Sequence, residues 1–287
     1  MIIKIRHIKI ALIAVFTAIV IFAAISFSHH FFKSETASTK PVVRLPIIMY
    51  HQILKDKRTW GTYVISPEDF EKDLVYLLES GYTTIDIQDL IDFAYNEKEL
   101  PEKPIMITFD DGYLTSKVYI LPILEKYNSK AVVSIVGEFT DKFTDNNDKG
   151  LSYAHLSWDD VKELVNSPNI EIQNHSYDMH KISKRKGISK MRGESSEDYR
   201  KALNNDILHM QSLVEKNTGY RPTAFTYPFG SVSKEAQPIL KDMGFLALLT
   251  CNEGVNLLSG DKEELFSLKR YNRPYGINRE KFFSKLE

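Results

Sequence analysis

The chain has 287 residues, of which 43% are hydrophobic and 26% charged, with a formal net charge of −1 and one cysteine, Cys251. Such a balance is ordinary for a globular protein and gives no global field that would select nucleic acid or an acidic polymer. A single cysteine excludes an intrachain disulfide framework and any multi-cysteine metal site.

Lys4, Arg6, His7 and Lys9 precede an uncharged run, 10–27, whose only polar members are Thr17 and Ser26. A bilayer-crossing helix needs ~20 apolar residues, so this run predicts a transmembrane signal anchor with residues 1–9 in the cytoplasm. The alternative is a signal peptide cleaved near Ser26 and Ser28, which would leave a secreted protein. Either way the remainder lies outside the cytoplasm. No cysteine follows the run closely, which excludes a lipid-modified cysteine there. Residues 28–45 read as a tether to a single domain, 46–287. In that domain the predicted strands are 47–50, 83–87, 105–109, 131–136, 170–173, 224–227 and 245–250. Helices are predicted between them. One follows Ser66 and Pro67, buries Phe70, Leu74 and Leu77, and ends at Gly81. A second starts at Ser157 with Asp159 and Asp160 in its first turn, and the longest stops at Gly219. This alternation predicts an α/β fold with a largely parallel sheet or barrel, whose sites gather at the C-terminal ends of strands.

Four features fall at such ends. Asp110–Asp111–Gly112 follows a buried strand; it is either a pair of solvated turn residues or two carboxylates with different tasks. His175 and His180 are five apart, a spacing that shares no face of a helix or strand, so they are unrelated or meet on an irregular loop. Asp178 is close enough to partner a ligand histidine or to be a turn residue. The third feature is "AFTYPFG", 224–230, and the fourth is His51, which closes the first strand and alone reads as a core residue. One aspartate with two histidines is the composition of an open catalytic metal site. A cation on one carboxylate would relieve the repulsion within the pair and leave the other free to act as a base. The same donor set also suits a two-histidine, one-carboxylate iron oxygenase.

With "TFDDG" (108–112), "EIQNHSYDMH" (171–180) and "YPFG" (227–230) in this order, residues 46–287 resemble carbohydrate esterase family 4, the NodB-homology polysaccharide deacetylases. The resemblance implies a distorted (β/α) barrel that removes acetyl groups from a glycan. It also implies a divalent metal, zinc first, with cobalt, nickel or iron as alternatives. By position it makes Asp110 the catalytic base, Asp111, His175 and His180 the metal ligands, and the Phe229 amide an oxyanion donor beside Tyr227 and Pro228. Three departures stand out. The histidines are five apart rather than four, Thr226 stands where an arginine is usual, and no histidine follows His209. Each resembles the subgroup that deacetylates poly-N-acetylglucosamine, in which the acid histidine comes from a Tyr-His segment, here Tyr50–His51. Gln173 stands where a small residue is usual. Arg270 in "SLKRYNRPYG" is a candidate partner for the base, or else a structural arginine.

The implied substrate is an N-acetylglucosamine-containing polysaccharide, with no obligate protein partner. Peptidoglycan or acetylxylan deacetylation, or a non-catalytic glycan-binding module on the same fold, are the alternatives. Trp60, Tyr63, Tyr177 and Tyr227 are candidate sugar-stacking faces or core residues. The basic stretch 180–192 is a surface for anionic polymer or lipid, or a solvated loop.

Overall fold

A computed structural model describes residues 42–286. The apolar run 10–27, Ser26, Ser28 and most of the tether lie outside the described residues. Among the described residues, no helix is long and apolar enough to cross a membrane.

The twelve strands among the described residues, in chain order, are β1 Val43–Leu45, β2 Ile47–Tyr50, β3 Gln52–Ile53, β4 Val64–Ile65, β5 Thr83–Ile85, β6 Pro104–Phe109, β7 Ala131–Ile135, β8 Ile170–Asn174, β9 Ala224–Thr226, β10 Ala247–Leu249, β11 Asn256–Leu258 and β12 Tyr271–Asn272. Eight of them build one sheet in the order β10-β9-β8-β7-β6-β2-β12, with β5 against β6. Every pairing within it is parallel. β5 and β7 share one side of β6: β5 takes Pro104–Met106 and β7 takes Thr108 and Phe109.

The sheet curls, and one segment touches both of its edges. The Leu268 N–H donates to the Leu248 carbonyl at 2.9 Å, and the Thr250 N–H donates to the Leu268 carbonyl at 2.8 Å. Three residues later, Tyr271 and Asn272 pair with Ile48 and Met49 of β2. Residues 268–272 therefore span from β10 to β2 and carry Arg270 and Asn272 between the two ends.

The expected helices are present at Pro67–Glu79, Trp158–Val165 and Ser196–Thr218. Their caps act as their residue types predict. Ser66 Oγ accepts from the Asp69 N–H, Ser157 and Asp160 form a reciprocal capping box, and Gly219 ends the long helix at φ +75°. Phe70, Leu74, Leu77, Val161, Leu164, Met210 and Val214 join the outer-face residues Ile105, Ile107 and Phe109 of β6 in one core cluster. The alternate residues Met106 of β6, Val132 of β7, Ala224 of β9 and Leu249 of β10 face the inside of the curl, where they form a second cluster with Leu268.

Several boundaries move by a few residues, and two of the shifts have a clear cause. The tether expected over 28–45 is too long, because Val43–Leu45 pairs antiparallel with β11. The strand expected over 83–87 stops at Ile85, because Asp86 and Asp89 form a capping box that starts a helix, Ile87–Tyr95. Gln173 also has a structural task. β8 and β9 pair only at Asn174 and Phe225, and the Gln173 Oε1 fills the gap beside that contact by accepting from the Thr223 and Ala224 N–H groups.

Candidate active site

The inside of the curl changes character toward the C-terminal ends of its strands. Apolar residues give way to Thr108, Ser134 and Thr226, all fully buried, with Ser134 and Thr226 hydroxyls 2.7 Å apart. Asp110 is the next inward position after Thr108 on the same strand face. Its N–H still donates to Tyr50 O at 3.0 Å, so its carboxylate is held by the ladder.

Arg270, also fully buried, reaches that carboxylate with both ends of its guanidinium: Nη1 to Oδ1 at 2.7 Å and Nη2 to Oδ2 at 2.9 Å. Its Nε donates to the Thr250 carbonyl at 2.8 Å and Nη1 also donates to Thr108 Oγ1 at 3.1 Å. The candidate base partner is thus a two-pronged ion pair, the strongest geometry available to a carboxylate. Burial alone would raise the Asp110 pKa, but the Arg270 guanidinium, followed by His175 and His51, brings it below the ordinary carboxylate value.

Asp111 leaves the strand in the left-handed region, φ +71°, and Gly112 follows at φ +68°. A Cβ on Gly112 would come within 2.8 Å of Ile135 Cγ2, so only glycine lets the turn lie against β7. This reversal carries the Asp111 side chain away from Asp110 and toward the two histidines. Its Oδ1 lies 3.1 Å from His180 Nε2 and 3.6 Å from His175 Nε2. The potential donor atoms of Asp111, His175 and His180 all fall within 4.8 Å of one another.

These residues fit a metal ion on their own chemistry. The His175 Nδ1 sits 2.7 Å from the Thr226 carbonyl. That contact places the ring proton on Nδ1 and turns the Nε2 lone pair toward Asp111. Burial, working against the pull of Asp110, lowers the His175 pKa to about 4, so the ring is neutral near pH 7. The Asp111 Oδ1 is buried and has no hydrogen-bond partner. A buried carboxylate oxygen facing two imidazoles without a hydrogen bond is a coordination position.

The five-residue spacing of the histidines follows from their loop. His175 is fixed by its N–H to Ile135 O at 3.0 Å, and Ser176 turns at φ +73° before the chain returns at His180. Asp178 is not a partner of either ring. It pairs with Lys181, and its N–H donates to Asp206 Oδ2. The role expected of it is taken by the Thr226 carbonyl.

His51, Tyr63, Asp110, Asp111, Tyr113, His175, His180, Phe229 and Cys251 line one cleft of about 540 Å³, together with Met49, Gln52, Val64, Ile182, Lys186 and Asn272. His51 therefore faces the carboxylate pair, and Tyr63 covers its ring at 4.6 Å. Phe229 turns at φ +57° and sets its ring 4.4 Å from that of His180. Tyr63 is 57% exposed at the lip, as a sugar-stacking face requires.

Other candidates take the structural one of their two readings. Tyr227 does not line the cleft: it is 1% exposed and packs edge-on against Phe225 at 5.6 Å. Pro228 is buried and shapes the turn. Trp60 is held by its indole N–H on the Leu54 carbonyl and packs on Tyr275, and Tyr177 donates to Asp141. Neither lines the cleft. Half of the lysines and arginines of the basic stretch meet a carboxylate outside it, with Lys181 on Glu138, Arg185 on Glu194 and Lys190 on Glu235. Of its lysines and arginines, Lys186 alone lines the cleft, beside His180 and Ile182. Cys251 and Asn272 went unnamed as site residues. Cys251 was findable, since it follows a predicted strand.

A sequence model described as polysaccharide deacetylase matches residues 97–248. The chain is similar to the Escherichia coli (strain K12) poly-beta-1,6-N-acetyl-D-glucosamine N-deacetylase, 22% identical over 227 residues, which cover 72% of this chain and 34% of that protein. It thus spans about a third of that relative's length. Among solved structures it is similar to IcaB from Ammonifex degensii, with a TM-score of 0.68 and 23% identity over 81% of this chain and 92% of that one. It is also similar to the Streptococcus pyogenes deacetylase PplD in complex with acetate, with a TM-score of 0.67 and 20% identity over 86% and 99%. The matched stretch covers more than half of the chain and contains Asp110, Asp111, His175, His180 and Phe229, while His51 and Arg270 come to the same centre from outside it. The chain belongs to the polysaccharide deacetylase family.

Proposed function

We propose that the protein hydrolyses N-acetyl groups of an N-acetylglucosamine-containing polysaccharide with the help of a divalent metal. The observation that carries this reading is the division of labour between two adjacent carboxylates: Asp110 is locked by Arg270, and Asp111 faces His175 and His180. Asp111, His175 and His180 would hold the ion, which supplies Lewis acidity and lowers the pKa of water when bound. Zinc suits the donor set best.

The remaining chemistry belongs to the chain. Asp110, ionised and with both oxygens fixed, takes a proton from the attacking water. The water oxygen bonds to the acetyl carbon, and the Phe229 amide donates to the oxygen that becomes negative. His51 gives a proton to the departing nitrogen as the C–N bond breaks, leaving acetate and a free amine. Tyr63 and Phe229 offer ring faces for the sugar at the lip of the cleft. The relatives named for poly-N-acetylglucosamine support that polymer class over peptidoglycan or acetylxylan. The apolar run 10–27 would keep the domain on the outer side of the membrane, where such polymers are found.

The full chain supplied with Zn²⁺ or Co²⁺ should release acetate from poly-N-acetylglucosamine oligomers in preference to peptidoglycan or acetylxylan fragments. Asp110→Asn should abolish release while retaining bound metal by elemental analysis. Undiminished release by that variant would refute the assignment. Glycan binding by the unaltered protein without acetate release would make it a binding module.

A further inference from the structure

Three cleft-lining residues carry a buried polar side-chain atom with no hydrogen-bond partner: Asp111 through Oδ1, His51 through Nδ1 and Asn272 through Oδ1. The first is accounted for by the metal position. The other two are complementary. A neutral imidazole nitrogen can carry a proton, whereas an amide oxygen can only accept one.

The strand register brings them together. Asn272 pairs with Met49 in the parallel β12–β2 ladder, and the Arg273 N–H donates to the Met49 carbonyl at 3.0 Å. Side chains of paired residues point to the same face, and so does the residue two further along. Met49, His51 and Asn272 accordingly all face the cleft. The orientation of the amide is set as well, because Asn272 Nδ2 donates to the Thr62 carbonyl at 2.9 Å. The adjacent residue, Tyr63, is the one whose ring lies 4.6 Å from His51. With Nδ2 engaged on one side, Oδ1 is the end left for the imidazole.

We propose that Asn272 is the positioning residue for His51, its Oδ1 accepting the Nδ1 proton in the working enzyme. This inference rests on the reading of His51 as the general acid. A histidine that protonates a leaving group needs its transferable proton on the nitrogen facing the substrate. The acid is the imidazolium: an acceptor at Nδ1 holds one proton there and fixes the ring plane, so that Nε2 is the nitrogen that gains and gives up the second. The barrel-closing segment then serves both ends of the reaction through alternate residues: Arg270 orients the base and Asn272 orients the acid. Leaving either buried atom unpaired is costly, which favours closing the pair.

The test uses the zinc-loaded full chain with ring ¹⁵N-labelled histidine, the His51 resonances being assigned by their loss in His51→Gln. In the unaltered protein, neutral His51 should be protonated at Nδ1. Asn272→Leu, close in shape but without an acceptor, should shift His51 toward the other tautomer. It should also lower kcat by ~10- to 100-fold with KM little changed, the usual range for loss of a residue that orients a functional histidine. Asn272→Asp keeps the acceptor and should retain the Nδ1 tautomer and most of kcat. Equal losses of kcat in both variants with an unmoved tautomer would overturn the inference, as would an unmoved tautomer and full activity in Asn272→Leu. Full acetate release by His51→Gln would instead remove the acid role itself, while the nitrogen resonances would still report the hydrogen bond.

Discussion

Arg270→Met is the most informative single change. The guanidinium is fully buried and makes two bonds to Asp110, one to Thr108 and one to Thr250. Methionine fills much of the same space, so packing is largely kept and the charge is lost. Asp110, only 3% exposed, is then a buried carboxylate without its principal counter-charge. Breaking a buried ion pair from one side costs about 3–5 kcal/mol. For a domain of this size each kcal/mol lowers the melting temperature by about 2–4 °C, so a fall of about 6–20 °C is expected. The deficit should depend on pH with a definite sign. In the unaltered protein the Asp110 pKa is lowered in the fold, so the pair's contribution is complete above the ordinary value of 3.8 and is lost as pH falls through the folded value. Without Arg270, burial dominates and the folded pKa rises. The stability gap between the two proteins should therefore be widest at neutral pH and shrink in acid. The acid limb of kcat/KM should move to higher pH for the same reason. Denaturant unfolding of Arg270→Met, Asp110→Asn and the double variant, each across pH, measures all of this. The double variant should be no less stable than either single one, since neither charge remains. Additive losses, or a gap that does not change with pH, would refute the ion-pair reasoning.

Two further outcomes follow from the same geometry. Gly112→Ala sets a methyl 2.8 Å from Ile135 Cγ2 at φ +68°, and should both destabilise the fold by about 1–2 kcal/mol from backbone strain alone and weaken Zn²⁺ binding by displacing Asp111; calorimetric zinc titration against a competing chelator reads the second effect. Tyr63→Ala and Tyr227→Ala should separate cleanly: the first, 57% exposed at the cleft, raises KM on oligosaccharides with little change in stability, while the second, 1% exposed, costs about 3–5 kcal/mol of stability through core truncation.

Most of the sheet was legible because its strands are short apolar runs bounded by turn residues, and the metal trio was legible because its members sit just past strand ends. What escaped has physical causes. Ile87 continues an apolar run, yet Asp86 and Asp89 cap a helix there, and local capping outweighed the strand pattern. β12 has two residues and exists only because the chain crosses from β10 to β2, so no periodicity marks it. Asn272 inherits that invisibility, and Arg270 could be named only as a candidate beside a structural arginine, because their defining contacts are with residues more than 150 positions away. Tyr227 was misjudged for a simpler reason. On β9, Ala224 and Thr226 face the inside of the curl, so Phe225 and Tyr227 must face the outer core, as alternation requires.

The two adjacent carboxylates at the end of a buried strand resolve as a charge balance. Asp110 is offset by Arg270 at 2.7 and 2.9 Å, and that pair is electrically complete. Asp111 has no fixed cation. His175 is neutral near pH 7, since burial lowers its pKa to about 4. Asp111 therefore carries a charge without a fixed partner, and an unpaired carboxylate oxygen, in a place largely closed to water. Such a charge is costly to bury, and a cation is the partner that these donors leave room for. A divalent ion there would more than balance Asp111, and the excess positive charge would favour the anion that forms as the acetyl group is attacked. Had Arg270 reached Asp111 instead, the centre would already be neutral and the histidines would have nothing to complete. On the proposed mechanism, the placement of one arginine on the closing segment would thus decide which carboxylate serves as the base and which stays available for an ion.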